Sequence, residues 1–220
     1  MKYKYIILDF GNVLVTPTTG DWNITPKFLE LVDTSLIDMD ELKKSIYNNR
    51  HFLGEKLITQ DEEYDMFIRY YDSILKEINY SKYNKELVEK IAYDRTYNNE
   101  KYTLCPNIIE ELKSLKDKYK LIMLTDNWPC VIPYLKDNNL YDFFDEVYIS
   151  SVYGCLKKEK IFFDYPIKDY NIKDGEALFI DDAEINLDAA KEKGLDVLCM
   201  NRYATNIESK YRIIHDLLDL

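Results

Sequence analysis

The sequence predicts an α/β fold: a parallel sheet covered by helices and interrupted after its first strand by an all-helical insertion. Three observations carry that prediction. Short apolar runs alternate with helix-like stretches through the second half of the chain, the pattern of a parallel sheet with helices on both faces. Two of the apolar runs end in carboxylates: Tyr5-Ile6-Ile7-Leu8 in Asp9, and Ala177-Leu178-Phe179-Ile180 in Asp181-Asp182. Between about residues 16 and 102 no convincing strand occurs, while apolar residues recur at helical spacing.

The first strand is residues 5–8. The insertion follows, with helices expected over residues 27–32, 40–47, 61–79 and 85–93. The third is the clearest, because Tyr64, Phe67, Ile68, Tyr71, Ile74, Leu75 and Ile78 share one face, as the core stripe of a bundle does. The α/β alternation then resumes. A helix is expected over residues 106–118, with Pro106 in its first turn and Ile108, Ile109, Leu112 and Leu115 on one face. A strand at 121–124, a helix at 129–139 containing Pro133, and a strand at 147–149 come next. Residues 159–170 read as partly helical and broken near Pro166, which lacks the N–H a helix interior needs. A strand at 177–180, a helix at 186–193 stopped by Gly194, and a strand at 195–199 complete the alternation. Thr205-Asn206-Ile207-Glu208 has the pattern of a capping box that opens a last helix.

The 220 residues suffice for one well-buried core plus a smaller insertion. A formal net charge of −11 disfavours nucleic-acid binding and repels anions at long range. A phosphate site in such a chain needs local positive potential from a metal, a lysine or backbone N–H groups. Cys105, Cys130, Cys155 and Cys199 lack C-x-x-C spacing and read as buried thiols of a cytoplasmic protein. The apolar stretch after Lys2 and Lys4 is broken by Asp9, too early for a signal peptide or a membrane span. No protein partner is implied.

A carboxylate at the C-terminal end of a buried strand lies at the crevice where open α/β sheets bind ligands. One such residue is ordinarily a turn or cap residue. Two strand ends carrying three carboxylates suggest instead a hard-cation site, since Mg²⁺ takes a few carboxylates plus water and phosphate oxygens.

With these residues in place, the chain resembles the haloacid dehalogenase superfamily through four ordered motifs spanning nearly its whole length. The resemblance implies a Rossmann-like catalytic core, residues 1–15 and 103–220, and an inserted helical cap, residues 16–102, that closes over the site. In the first motif, Leu8-Asp9-Phe10-Gly11-Asn12-Val13, Asp9 matches the nucleophile. Gly11 stands where the family has its general acid/base Asp, although the backbone carbonyl there is a metal contact in the family. The second motif, Leu124-Thr125-Asp126-Asn127, implies phosphate binding by the Thr125 hydroxyl and the N–H groups after it. Asp126 stands where relatives carry Asn. The third places Lys157 after Gly154, with Lys158 in place of the family's Pro, as a point charge for phosphate and Asp9. The fourth, Asp181-Asp182-Ala183-Glu184-Ile185-Asn186, implies Asp182 as a Mg²⁺ ligand, Asp181 as a ligand or its partner, and Asn186 as their orienter.

The segment Gly54-Glu55-Lys56-Leu57-Ile58-Thr59 before Gln60-Asp61-Glu62-Glu63 is similar to the family's helical-cap turn, and neighbouring His51 reads as a surface or packing residue. Relatives that cleave carbon–halogen bonds lack the acidic pair. The resemblance therefore implies a Mg²⁺-dependent phosphatase of a small phosphorylated metabolite, its Asp-x-Gly-Asn motif similar to a subgroup with sugar-phosphate phosphatases. A metal-free dehalogenase and a catalytically weak phosphate-binding protein are the alternatives.

Overall fold

The computed structural model describes residues 2–203 and 208–220. Its strands are β1 (Tyr5–Leu8), β2 (Val15–Pro17), β3 (Tyr102–Leu104), β4 (Lys120–Thr125), β5 (Glu146–Ile149), β6 (Ala177–Asp181), β7 (Asp196–Met200) and β8 (Ile213–Ile214). Among the described residues, six of these form one sheet in the order β5-β4-β1-β6-β7-β8, with every neighbouring pair parallel. The most apolar strand is central, as expected where helices cover both faces of a sheet. Ile6, Ile7 and Leu8 are at most 1% exposed. Leu8 lies level with Met123 of β4 and Ile180 of β6, and the Asp9 N–H donates to the Ile180 carbonyl at 3.0 Å. This register brings Asp9 beside Asp181.

The chain divides into two compact units. The sheet-based unit comprises Met1–Thr16, Leu104–Asn127 and Val131–Leu220, and the other comprises Pro17–Thr103 and Trp128–Cys130. The second unit is built on α1 (Pro26–Leu31), α2 (Met39–Asn48), α3 (Gln60–Glu77) and α4 (Lys85–Tyr97). It has its own core, with Phe67, Tyr71, Ile74 and Leu75 of α3 meeting Val88, Ile91 and Ala92 of α4. Thr59 begins α3 with a reciprocal capping box. Its side chain accepts from Glu62 N, and Glu62 accepts from Thr59 N. Asp61, Glu62 and Glu63 in the first turn complement the helix dipole. His51 is exposed, its ring 4.2 Å from that of Phe52. Trp128–Cys130 join this unit through Glu63, which accepts from Cys130 N at 2.8 Å, and through Arg95, whose buried guanidinium lies 5.1 Å from Trp128 and 4.8 Å from Phe67.

The sheet-based unit adds α5 (Ile108–Lys116), α6 (Val131–Asp137), the single turn α7 (Ser150–Tyr153), α8 (Ile161–Asp169) and α9 (Glu184–Glu192). On α5, Ile108, Leu112 and Leu115 are buried, but Ile109 is 39% exposed rather than on their face. Its 100° rotation from Ile108 turns it to the helix flank. Pro133 falls in the first turn of α6, where no intrahelical N–H is lost. α8 runs unbroken through Pro166, against the expected break. The missing bond costs a few kcal/mol, and burial of Pro166 with Phe162 and Phe163 opposes that cost. α9 is followed by Gly194 at φ +83, where a Cβ would lie 2.6 Å from Asp174 Oδ1.

Two short strands, β2 and β3, pair at the ends of the insertion, where none was expected. Their isolation as three-residue pieces hides them from periodicity. The capping-box segment at 205–207 lies outside the described residues. After it, Glu208 onward carries β8 and a 3₁₀ turn at Leu217–Asp219.

Candidate active site

Asp9 and Asp181 stand at the C-terminal ends of adjacent strands, as Asp9 directly follows β1 and Asp181 ends β6. Both are buried, Asp9 at 8% exposure and Asp181 at 0%. Between them sits the Lys157 ammonium, 2.7 Å from Asp9 Oδ1 and 2.5 Å from Asp181 Oδ2. Lys157 is itself 1% exposed, whereas Lys158 points to solvent. Lys157 opens the 3₁₀ turn Lys157–Glu159. Its backbone N–H is fixed by Asp126 Oδ1 at 3.0 Å. Asp126 thus supports the lysine.

Asp181 is held on three sides. It accepts from Ala183 N at 2.8 Å and from Asn186 Nδ2 at 3.2 and 3.1 Å, besides Lys157. Asn186 lies in the first turn of α9, which returns its amide to the strand end. Asp182 follows in the chain and accepts from Asn12 Nδ2 at 2.8 Å. Asn12 was quoted in the first motif but given no site role. Its φ of +54 is the left-handed conformation that Asn tolerates, a sequence signal for a tight turn beside Asp9.

The electrostatics follow from burial. Asp9 is pushed up from its ordinary 3.8 to about 7, first by burial and then by Asp181 and Asp182, against the pull of Lys157. Burial, then Asp181, raises Asp182 as well, and burial raises Asp126. Burial works against the Lys157 charge, but Asp181, Asp9 and Asp126 outweigh it and hold the ammonium above its usual range.

Carboxylate oxygens of Asp9, Asp181 and Asp182 all lie within 4.8 Å of one another. Three carboxylates around one ammonium leave excess negative charge. That excess, with hard oxygen donors at this spacing, fits a small divalent cation. Thr125, 1% exposed at the end of β4, stands beside β1. Asn127 is tied elsewhere: its N–H donates to Ser150 Oγ at 3.0 Å, and its carbonyl accepts from Ser151 N. Gly11 makes a bridge to Val15 within a tight turn. The structure therefore brings Asp9, Lys157, Asp181, Asp182, Asn186 and Asp126 into one network, with Thr125, Asn127 and Gly11 on its flanking strand ends. Ser150 went unmarked in the sequence, where nothing distinguishes it from Ser151.

Neighbouring parallel strands that end in carboxylates bridged by a buried lysine are in keeping with a haloacid dehalogenase-like hydrolase. The chain belongs to that family, whose sequence pattern matches residues 6–200. A D-ribitol-5-phosphate phosphatase of Bacteroides thetaiotaomicron is 27% identical over 95 residues, 40% of this chain and 46% of the relative. The match thus spans less than half of that relative's length. The Bacillus subtilis HAD-hydrolase YfnB, solved bound to magnesium, superposes at a TM-score of 0.71 with 18% identity, covering 100% of this chain and 97% of its own. A HAD family enzyme of B. thetaiotaomicron, solved with magnesium and inorganic phosphate, superposes at 0.60 with 18% identity, covering 92% and 96%. The last two likenesses are of fold. No helix among the described residues is long and apolar enough to cross a membrane.

Proposed function

We propose that this hydrolase is a Mg²⁺-dependent phosphatase of a small phosphorylated metabolite, acting through an aspartyl phosphate on Asp9. The observation that carries the reading is the three-carboxylate cluster around Lys157. A dehalogenase needs one carboxylate nucleophile, and a second and third crowded beside it only oppose its ionisation. A phosphatase uses them to hold a cation. The phosphatase relative and the magnesium- and phosphate-bound structural neighbour support the same reading.

In this mechanism the Asp9 carboxylate attacks phosphorus, the ester P–O bond breaks, and water then hydrolyses the aspartyl phosphate. Lys157, 2.7 Å from Asp9, favours the ionised nucleophile and counters phosphate charge. Asp181 holds Lys157, and Asn186 holds Asp181. The Thr125 hydroxyl and the Asp126 N–H are assigned to a phosphate oxygen, the Asn127 N–H being held by Ser150 Oγ. Asp9, Asp182, the Gly11 carbonyl and Asp181 are the groups that would hold Mg²⁺. When bound, the ion supplies a Lewis acid that neutralises charge on the transferring oxygens. We assign the chemistry to the core, residues 1–15 and 103–220, and the choice of leaving group to the cap, residues 16–102.

The test is phosphate release from a panel of phosphate monoesters with Mg²⁺ and with chelator. Release that needs Mg²⁺ and disappears in Asp9→Asn is expected. Halide release from a 2-haloacid in chelator would establish the dehalogenase instead, and no turnover of either class would leave a binding protein.

A further inference from the structure

The turn at residues 10–15 carries two parts of the candidate site, the Gly11 backbone and the Asn12 side chain bound to Asp182. Within it, Leu14 N and Val15 N donate to the Phe10 carbonyl, and Asn12 N donates to the Val15 carbonyl. Burial of Phe10, Val13, Leu14 and Val15 anchors it further, as do two bonds from outside. Cys105 N donates to the Leu14 carbonyl at 2.9 Å, and Arg202 Nε donates to the Val13 carbonyl at 2.8 Å.

Arg202 lies just beyond β7. Its two terminal nitrogens pair with both oxygens of Glu111 on α5, at 3.0 and 2.6 Å. The side chains are 4% and 2% exposed. Glu111 also accepts from Leu217 N at 3.2 Å.

We propose that Arg202, oriented by Glu111, is a positioning residue that sets the Gly11–Asn12 backbone for metal binding and phosphoryl transfer. The proposal rests on the phosphatase reading. A two-pronged Arg–carboxylate pair fixes the plane of the guanidinium. Of the three N–H groups left, the one on Nε then points in one direction, and here that direction ends on Val13. Lysine cannot reproduce this, having a single flexible ammonium. Buried ion pairs seldom stabilise a fold more than apolar residues of similar volume do. What this pair supplies that an apolar pair cannot is a directed donor to the turn. With Asp9 fixed by β1 and Val13 fixed by Arg202, the residues between them are held at both ends. A shift of about 1 Å in such a turn is enough to cost ~10²-fold in rate.

The test uses Arg202→Lys, which keeps the charge pair and loses the directed bond, and the double variant Arg202→Met with Glu111→Met, which removes the pair together. Three quantities are read: amide hydrogen exchange over residues 10–15, the Kd for Mg²⁺ alone, and kcat against KM. Both variants are expected to remain folded by circular dichroism and to exchange residues 10–15 about tenfold faster. They should bind Mg²⁺ about tenfold more weakly and lose kcat about ten- to a hundredfold with KM within twofold. A purely structural pair would lower the melting temperature and leave local exchange, Mg²⁺ affinity and kcat of the folded protein at wild-type values; that outcome overturns the proposal. If the double variant does not fold, Arg202→Lys decides alone. If the wild type neither binds Mg²⁺ nor hydrolyses phosphate esters, the phosphatase reading fails and catalytic positioning fails with it. Exchange over residues 10–15 still shows whether Arg202 holds the turn.

Discussion

Asn12 donates from Nδ2 to Asp182 Oδ2 at 2.8 Å, joining the turn after β1 to the residue after β6 by their own side chains. The same asparagine sits at φ +54, so one residue serves a backbone need and a side-chain need at once.

These two needs separate by substitution. Asn12→Gly keeps the left-handed backbone and loses the amide. Asn12→Ala loses both and adds about 1 kcal/mol of backbone strain. Denaturant titration should therefore rank the wild type above Asn12→Gly and Asn12→Ala lowest. Equal stability of the two variants would mean that the φ carries no cost here.

Lys157 bridges Asp9 and Asp181 while fully buried. Lys157→Met leaves both acids without their counter-charge, which costs about 3–5 kcal/mol for a buried pair broken on one side. Urea unfolding should show that loss, together with the loss of turnover. Mg²⁺ should restore part of the stability by replacing the missing positive charge.

Asp9 binds its proton more tightly in the folded protein, at about 7, than in the unfolded chain, at about 3.8. Between those values the native state holds the extra proton, so stability in chelator falls as pH rises from about 4 to about 7. The contribution is full below that window and gone above it. Asp9→Asn should lack this share of the slope. Mg²⁺ binding should expel the proton, giving calorimetric heats at pH 6 that differ between buffers of different ionisation enthalpy. Buffer-independent heats would contradict the assignment of Asp9 as a ligand.

Gly11 leaves the first motif without a carboxylic acid to protonate a leaving group or activate water. General acid–base help is typically ~10²–10⁴-fold, and an alkoxide needs it most. The wild type should therefore favour aryl or acyl phosphates over sugar phosphates, and Gly11→Asp should narrow that preference. Comparing kcat/KM for p-nitrophenyl phosphate with several sugar phosphates in both proteins checks it. A strong wild-type preference for one sugar phosphate, unchanged in the variant, would show that another residue already acts as the acid.

Five of the six strands of the central sheet were legible because each is a short apolar run ending at a polar residue, and the run into Asp181-Asp182 also placed the acids; the sixth, the two-residue β8, was not, a last helix being expected there. What stayed hidden depends on partners far along the chain. Nothing near Asp126 says that it will hold the Lys157 backbone, 31 residues on. Nothing near Arg202 or Glu111 says that they will be buried against each other across 91 positions. Pro166 showed the opposite failure: a strong local rule was overridden by burial of the helix around it. Trp128–Cys130 follow the Thr125 motif directly but belong to the helical unit, through Glu63 and Arg95. No spacing rule contains that information.

The strand order also has a consequence for biosynthesis. β1 emerges from the ribosome first, but its two partners, β4 and β6, begin at Lys120 and Ala177. The helical unit draws most of its core from residues 24–92, and its last segment, Trp128–Cys130, still precedes Ala177. Domains tend to fold as units in the order of synthesis, and parallel pairings between distant segments are slow. The newborn chain therefore carries an apolar β1 with no sheet to join while a finished helical body hangs behind it. Asp181 reaches Asp9 only when β6 arrives, so a ribosome stalled before Ala177 would hold a chain with a folded helical unit and no paired carboxylates.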